Sequence, residues 1–435
     1  MTTLINATYD RVEVAVENGV GMRASYAVRM LALATVATTG LAGCVASKSS
    51  ETTPPASGST GVARGTGGAA AAGGEVRIGV VMAKTGFMSP YDTPALQALQ
   101  LEVEKQNATG GIGGSKIVLD VVDTGTKMDR YASAAGEVLD RGAKVLLVTC
   151  DYDVSSPAAI AAEGKNVLNI APCVGDPVYG PKGGLKIGFS MGDGTPGESS
   201  IMAEFAHDKG WKSAVTLKDT SIKYTQNQCD IFTKRFQSLG GTIAGAYDYK
   251  QGDSIKETVS KISSGTKPDV IVNCGYNPGG GQVTKELRDG GVDTPIVSGF
   301  GMDGDFWLGA IPGLKDYFIV TYAAKDGNDP DPAVNETANA YKAKYGKFPD
   351  VGSFVTGPST IQAIKAAYDK AGSWDGDKLA AAMESFKEVP LMAGPTSFTP
   401  QLHISVDRPM RVLQVKDGKL AVVEKRAPQQ VVTLG

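Results

Sequence analysis

The stretch VRIGVVMAKTGFMSPYDTPALQALQLEVEKQNATGGIGGSKIVLDVV (Val76–Val122) decides the fold. It opens on a short β-branched run, VRIGVVM (Val76–Met82), with no polar alternation. Tyr91–Asn107 then carries apolar residues at helical spacing, Leu96, Leu99, Leu101 and Val103, before the glycines of NATGGIGG (Asn107–Gly114) stop the helix. KIVLDVV (Lys116–Val122) is a second strand of the same kind. Short strands that are apolar throughout and separated by amphipathic helices belong to a parallel sheet covered on both faces. Outward from this unit, a helix around Lys127–Arg141 leads to KVLLV (Lys144–Val148), then a helix at Ser156–Gly164 and a strand at Val167–Ile170.

After Phe189 the rhythm restarts. Strands are expected near Ala214–Leu217, Thr242–Ala246, Asp269–Val272, Pro295–Val297 and Phe318–Thr321, with Gln226–Leu239 and Val283–Asp289 the clearest helices between them. Later helices at Ala333–Tyr345 and Ser353–Ala371 return to the first half, so the chain crosses between halves more than once. Val412–Val415 and Ala421–Val423, split by Asp417-Gly418, close the chain as a hairpin. The expected fold is α/β: two doubly wound parallel-sheet domains joined by a multi-crossing hinge, with a ligand cleft between them. The boundaries read as 75–193 with 323–402 for the N-terminal lobe, and 194–322 with 403–435 for the C-terminal lobe.

The N-terminal region is not part of that fold. Residues 1–21 fit no signal and read as an extension upstream of a start at Met22. Residues 22–43 have Arg23 and Arg29, a short apolar run from Met30, then Leu41-Ala42-Gly43 before Cys44. Charged, apolar and small-residue regions in that order make a secretory signal; a permanent span needs about 20 apolar residues, more than lie here. Leu-Ala-Gly-Cys resembles the bacterial lipobox, so lipidation is expected at Cys44. Residues 44–74, rich in Ser, Thr, Pro, Gly and Ala, cannot bury enough apolar surface to offset ordering and form a tether. An extracytoplasmic, membrane-anchored location follows, with membrane contact through the lipid only.

Formal charge is −3 for the whole chain, and the tether's net +1 leaves about −4 for the folded part. No block of like charge suits nucleic acid. Besides Cys44 the cysteines are Cys150, Cys173, Cys229 and Cys274. In an exported protein they permit two disulfides in any of three pairings; their order suggests Cys150–Cys173 and Cys229–Cys274.

Ligands of open α/β sheets bind beyond the carboxyl ends of the strands. Those loops here are Ala83–Asp92, Thr149–Ser156, Ala171–Tyr179, Asp219–Tyr224, Asn273–Gly281 and Ser298–Asp305, rich in Gly, Ser, Thr, Asp and aromatics. GGIGGS (Gly110–Ser115) follows a helix and precedes a strand, the reverse of a dinucleotide fingerprint. NPGGGQ (Asn277–Gln282) follows a strand and can offer backbone N–H groups, but lacks the Lys-Ser/Thr of a phosphate loop. With only His207 and His403 there is no histidine cluster for zinc. Asp151 and Asp153, two apart in a loop, suit ligand binding or solvent better than catalysis. No enzyme, cofactor or metal is expected.

The runs IGVVMAKTGFMSPYD (Ile78–Asp92), NVLNIAPCVGDP (Asn166–Pro177), LKDTSIKYTQN (Leu217–Asn227), LGGTIAGAYDYKQGDSI (Leu239–Ile255), PDVIVNCGYNPGGGQ (Pro268–Gln282) and YGKFPD (Tyr345–Asp350) are, in order, similar to type I periplasmic binding proteins, the solute receptors of ABC importers. The nearest group is the leucine/isoleucine/valine and amide receptors. The resemblance implies a ligand held in the interdomain cleft, with Tyr91, near Phe87, and Tyr276 sandwiching it and Tyr224 contacting it. Asp151, Tyr152 and Asp153 stand where amino-acid receptors offer serines. Cys173, Val174 and Gly175 stand in the loop that supplies carbonyls and a threonine hydroxyl, and Gly175 has no hydroxyl. The ammonium-pairing acid falls on or near Phe300, with Asp303 displaced from it; Asn277 belongs to the same loop set. The expectation is a monomeric solute-binding protein that delivers a small polar molecule to an ABC permease. The alternative is a ligand-sensing receptor of the same fold acting through a signalling partner.

Overall fold

The computed structural model describes residues 73–265 and 267–434. The expected signal, the Cys44 lipidation site and nearly all of the tether lie outside those residues. Five strands build the first sheet: β1 (Glu75–Met82), β2 (Lys116–Asp123), β3 (Val145–Val148), β4 (Leu168–Ala171) and β5 (Gly188–Ser190). They are all parallel, in the order β2-β1-β3-β4-β5. Helices α1 (Ser89–Ala108), α2 (Arg130–Asp140) and α3 (Tyr152–Glu163) connect them. Burial explains the unbroken apolar runs. Ile78, Val80, Val145 and Leu147 pack on one face with Leu99 of α1, whereas Val81, Leu146 and Val148 pack on the other with Val138 of α2. Gly79 lets α2 come close: a Cβ there would lie 2.6 Å from Val138 Cγ2.

The chain then passes to a second sheet through α4 (Thr195–Asp208), β6 (Ser213–Asp219), α5 (Lys223–Ser238), β7 (Thr242–Tyr249), α6 (Lys256–Ser264), β8 (Val270–Cys274), α7 (Gly279–Asp289), β9 (Ile296–Ser298) and β10 (Tyr317–Thr321). It returns to the first sheet with α8 (Pro332–Tyr345), α9 (Thr356–Ala371), α10 (Gly376–Glu384) and the small hairpin β11 (Val389–Leu391) and β12 (Gly394–Thr396). Ile361 and Ile364 of α9 and Leu379 of α10 share a core with β1 and β3. Finally β13 (Met410–Lys416) and β14 (Lys419–Arg426) cross back as an antiparallel hairpin. The second sheet has the order β14-β13-β10-β9-β8-β6-β7. It is mixed rather than wholly parallel, because β13 pairs antiparallel with β10.

We call each sheet with its helices a lobe. The three crossings, between β5 and α4, β10 and α8, and β12 and β13, run together as a hinge. Ser190 N donates to His403 O (2.9 Å), Gly194 N to Ser405 O (2.7 Å), and Arg408 Nη2 to the carbonyls of Met191 and Gly192. Cys150 is joined to Cys173 and Cys229 to Cys274, with Cα–Cα separations of 4.7 and 5.6 Å. Several helices start earlier than their apolar spacing suggests. α3 begins at Tyr152 because Asp151 caps it, accepting from Val154 N at 3.1 Å. The stretch Ser353–Ala371 divides into a 3-10 turn (Gly352–Val355) and α9.

Candidate functional site

The carboxyl ends of both sheets face each other across the hinge, and the cleft begins with how their loops are tied. Asp92, in the first turn of α1, accepts from Ala83 N (2.7 Å) and Cys150 N (2.9 Å), fastening the loop after β1 to the loop after β3. The Cys150–Cys173 disulfide then fastens the loops after β3 and β4. On the other lobe, Cys229 of α5 is bonded to Cys274, two residues before Tyr276. Both walls are therefore held covalently where they meet the cleft.

Tyr91 reaches across. Its hydroxyl donates to Gly301 O (2.6 Å) and accepts from Asn277 N (3.1 Å) on the opposite lobe. Gly301 N donates to Tyr224 Oη (3.2 Å), and Tyr224 Oη donates to Glu198, 3.0 Å from each carboxylate oxygen. Phe300 sits at the centre, edge-on to Tyr91, Tyr224 and Tyr322 at ring-centroid distances of 5.5, 6.2 and 4.8 Å. Two further bonds hold the lobes together. Asp153 accepts from Lys223 N (2.6 Å), and Asp176 accepts from Asn227 Nδ2 (3.1 Å). Asp153 thus places a carboxylate on the N-terminal amide of a helix in the other lobe, one whose own N-cap residue, Ile222, has no capping side chain.

These contacts leave a central cavity of about 20 Å³, space for about one water. Of the residues picked out from sequence, Tyr91, Asp151, Gly175, Tyr224, Tyr276 and Phe300 line it. Gly175 is where Tyr224 comes closest: a Cβ there would stand 2.9 Å from the ring. Burial pushes the Asp151 carboxyl up to about 7, helped by the nearby Asp153 and opposed by the Val154 N–H. Phe87 and Asn277 line a second, larger space of about 700 Å³ at the cleft mouth.

The remaining candidates lie at neither space. Tyr152 stands edge-on to Tyr179 at 6.3 Å, Cys173 is held in its disulfide, and Val174 packs in the core beneath α2 and α3, its carbonyl accepting from Ser190 Oγ (2.6 Å). Asp153 serves the lobe-to-lobe contact described above. Asp303 faces the hinge rather than the cavity: its Oδ2 accepts from Thr321 Oγ1 (2.6 Å) and Gly352 N (2.6 Å) and its Oδ1 from Gly304 N (2.7 Å), so both oxygens are engaged.

Sequence reasoning did not find Glu198. It is buried, accepts from Phe300 N (2.5 Å), Tyr224 Oη and Gln228 Nε2 (3.2 Å), and is pushed up to about 7 by burial against those bonds. The available signal was Glu198 and Glu204 within the otherwise small and apolar run PGESSIMAEFA (Pro196–Ala206). Met88, Ile222 and Gly301 also line the central cavity without having been singled out. Among the described residues no cluster of three or more His, Cys, Asp or Glu could hold a metal, and no helix is long and apolar enough to cross a membrane. The polar atoms around the cavity are engaged in contacts within and between the lobes.

Residues 75–419 match the sequence profile of the periplasmic binding protein family. Over 361 residues the chain is 25% identical to Leu/Ile/Val-binding protein homolog 3 of Brucella melitensis, covering 82% of this chain and 95% of the relative. The crystal structure of the leucine-binding protein LivK from Thermotoga maritima superposes with a TM-score of 0.71 at 23% identity, over 81% of this chain and 99% of that one. The branched-chain amino acid receptor LivJ from Streptococcus pneumoniae, solved with isoleucine, gives the same TM-score at 21% identity, over 81% and 100%. The chain belongs to the periplasmic binding protein family and is similar to its Leu/Ile/Val-binding proteins.

Proposed function

We propose that this protein is a lipid-anchored extracytoplasmic receptor that captures a small polar solute, an amino acid, an amide or a similar molecule, by hinge closure and delivers it to the permease of an ABC importer. Residues 75–193 with 323–402 act as one moving body, and 194–322 with 403–435 as the other. The observation that carries the reading is the Tyr91 hydroxyl, which bonds both Gly301 and Asn277 of the facing lobe. A solute lodged there touches both lobes at once, so its binding free energy goes into the closed form and shifts the hinge by its differential affinity for that form. Because the closed cavity holds about 20 Å³, the solute enters the open form and displaces Phe300 and Tyr276 as the lobes shut on it. The names of the relatives favour amino-acid-sized solutes. The membrane anchor rests on Leu41–Cys44 and the tether that follows.

The test is a thermal-shift screen of the purified protein against amino acids, amides, urea, polyamines and polyols, with calorimetry on each hit. A solute at 100 times its dissociation constant adds about 2.7 kcal/mol to stability. A screen without a single shift, or turnover of the bound solute, overturns the proposal.

A further inference from the structure

The central cavity sets one carboxylate, Asp151, among the rings of Tyr91, Tyr224, Tyr276 and Phe300, and none of its lining residues is basic. Asp151 is 5% exposed, and no Lys, Arg or His acts on it. Its Oδ1 accepts from Val154 N at 3.1 Å and the Asp153 N–H also favours its charge, as at a capped helix start. Beyond that cap no group of the described residues bonds the carboxylate, and Oδ2 is left open to the cavity. The carboxylate is directed at the facing lobe. There the Tyr276 phenol is pushed up by burial first, then by Asp219 and Asp151. The Tyr276 hydroxyl likewise has no hydrogen-bond partner among the described residues and is not closed off. Asp151 is also held rigidly, because its neighbour Cys150 is bonded to Cys173. A buried charge needs a counter-charge. Burial keeps the Asp151 carboxyl up at about 7, the condition of an acid with no cation against it. Lys223 of the facing lobe acts on Asp176 instead.

We infer that the cleft selects a small organic cation without a carboxylate, an alkylammonium, with Asp151 as its counter-charge and the Tyr276 ring against it from the other lobe. A cation within about 6 Å of an aromatic ring is attracted by the ring's negative face, more strongly once water is excluded. Met88 and Ile222, on the same wall of the cavity as these groups, take the alkyl part. An anion is refused. Its carboxylate would meet Asp151, with Asp153 and Asp176 close behind and no lining cation to offset them. A zwitterionic amino acid therefore loses at its carboxylate what it gains at its ammonium. The inference rests on the receptor reading above and adds the charge class of the solute. As in that reading, the cation enters the open form, and it bridges the lobes because Asp151 and Tyr276 belong to opposite ones.

Isopentylammonium, tetramethylammonium, L-leucine and isopentyl alcohol are titrated into the full-length protein by calorimetry. Isopentylammonium shares its chain and ammonium with leucine and its chain alone with the alcohol, so the set separates charge from shape. One of the two cations is expected to bind at least about tenfold more tightly than leucine and the alcohol, a single charge pair's worth. Asp151→Asn keeps a helix-capping side chain. It is expected to weaken that cation by about thirtyfold or more and to erase its lead over leucine, with the circular dichroism spectrum unchanged. Tyr276→Leu, which keeps the bulk and removes the ring, is expected to weaken it by about two- to thirtyfold. Cation binding untouched by Asp151→Asn overturns the inference, as does binding of neither cation. Leucine bound more tightly than both cations also overturns it while leaving the receptor reading intact; only failure of every solute in the wider screen removes both.

Discussion

Replacing Tyr91 by Phe removes one oxygen and keeps the ring against Phe300. The magnitude follows from who is left without a partner. Tyr91 Oη donates to Gly301 O at 2.6 Å and accepts from Asn277 N at 3.1 Å, all three groups buried. Asn277 N also reaches Gly301 O at 3.2 Å within the same lobe. When the hydroxyl goes, those two groups still have each other, so the large penalty for a stranded buried donor does not apply. What remains is the net worth of a buried hydrogen bond, about 0.5–1.5 kcal/mol. In the proposed hinge closure that bond exists only in the closed form, so the closing equilibrium carries the whole loss and apparent affinity falls by roughly two- to tenfold. Calorimetric titration of any solute found in the screen measures the ratio, and small-angle scattering at saturating solute checks that both proteins reach the same compact form. An affinity ratio of one, or a loss beyond about a hundredfold, would show that the hydroxyl does not work as this cross-lobe bond.

Asp151 makes a pH prediction whose sign can be worked out. Its folded value, about 7, lies above the ordinary 3.8, so the folded protein holds an extra proton between those values. That stabilising contribution is complete below about pH 4 and is lost as pH rises through about 7. Asp151→Asn should therefore reduce the fall in melting temperature between pH 5 and pH 8; an unchanged fall rejects the assignment. The disulfides should also differ in worth. Opening Cys229–Cys274, 45 residues apart, should cost roughly 4 kcal/mol in the chain-entropy account, and opening Cys150–Cys173, 23 apart, roughly 3. Denaturant melts of the paired Cys→Ser variants give both numbers, and a loss under 1 kcal/mol for either sinks that account.

Much of the architecture could be read from local pattern. Strands such as Val145–Val148 are apolar at every position because both sheet faces are covered, and that burial leaves its mark in the residues themselves. The same reasoning located the loops beyond the strand ends, while the family resemblance picked out Tyr91, Tyr224, Tyr276 and Phe300 within them. It failed where burial carries no period. Helix α4 is covered on all sides from Thr195 to Ala206, so its serines and glutamates form no polar stripe and the helix and Glu198 went unseen. It also failed where a side chain's direction depends on a distant segment. Asp303 sits in the right loop, but the Gly352 amide, 49 residues on, draws its carboxylate to the hinge.

The sequence by itself determined the alternation of strands and helices, the chain's return between halves, and the loops that meet at the cleft, because these follow from local periodicity. Only the tertiary structure decided which of those loop residues share a space. Asp153 caps a helix of the other lobe, Phe300 lines the central cavity, and the Tyr91 hydroxyl bonds Gly301 and Asn277 across the cleft. Each of these depends on how two separately folded sheets face each other across three crossings, and no stretch of neighbouring residues encodes that geometry.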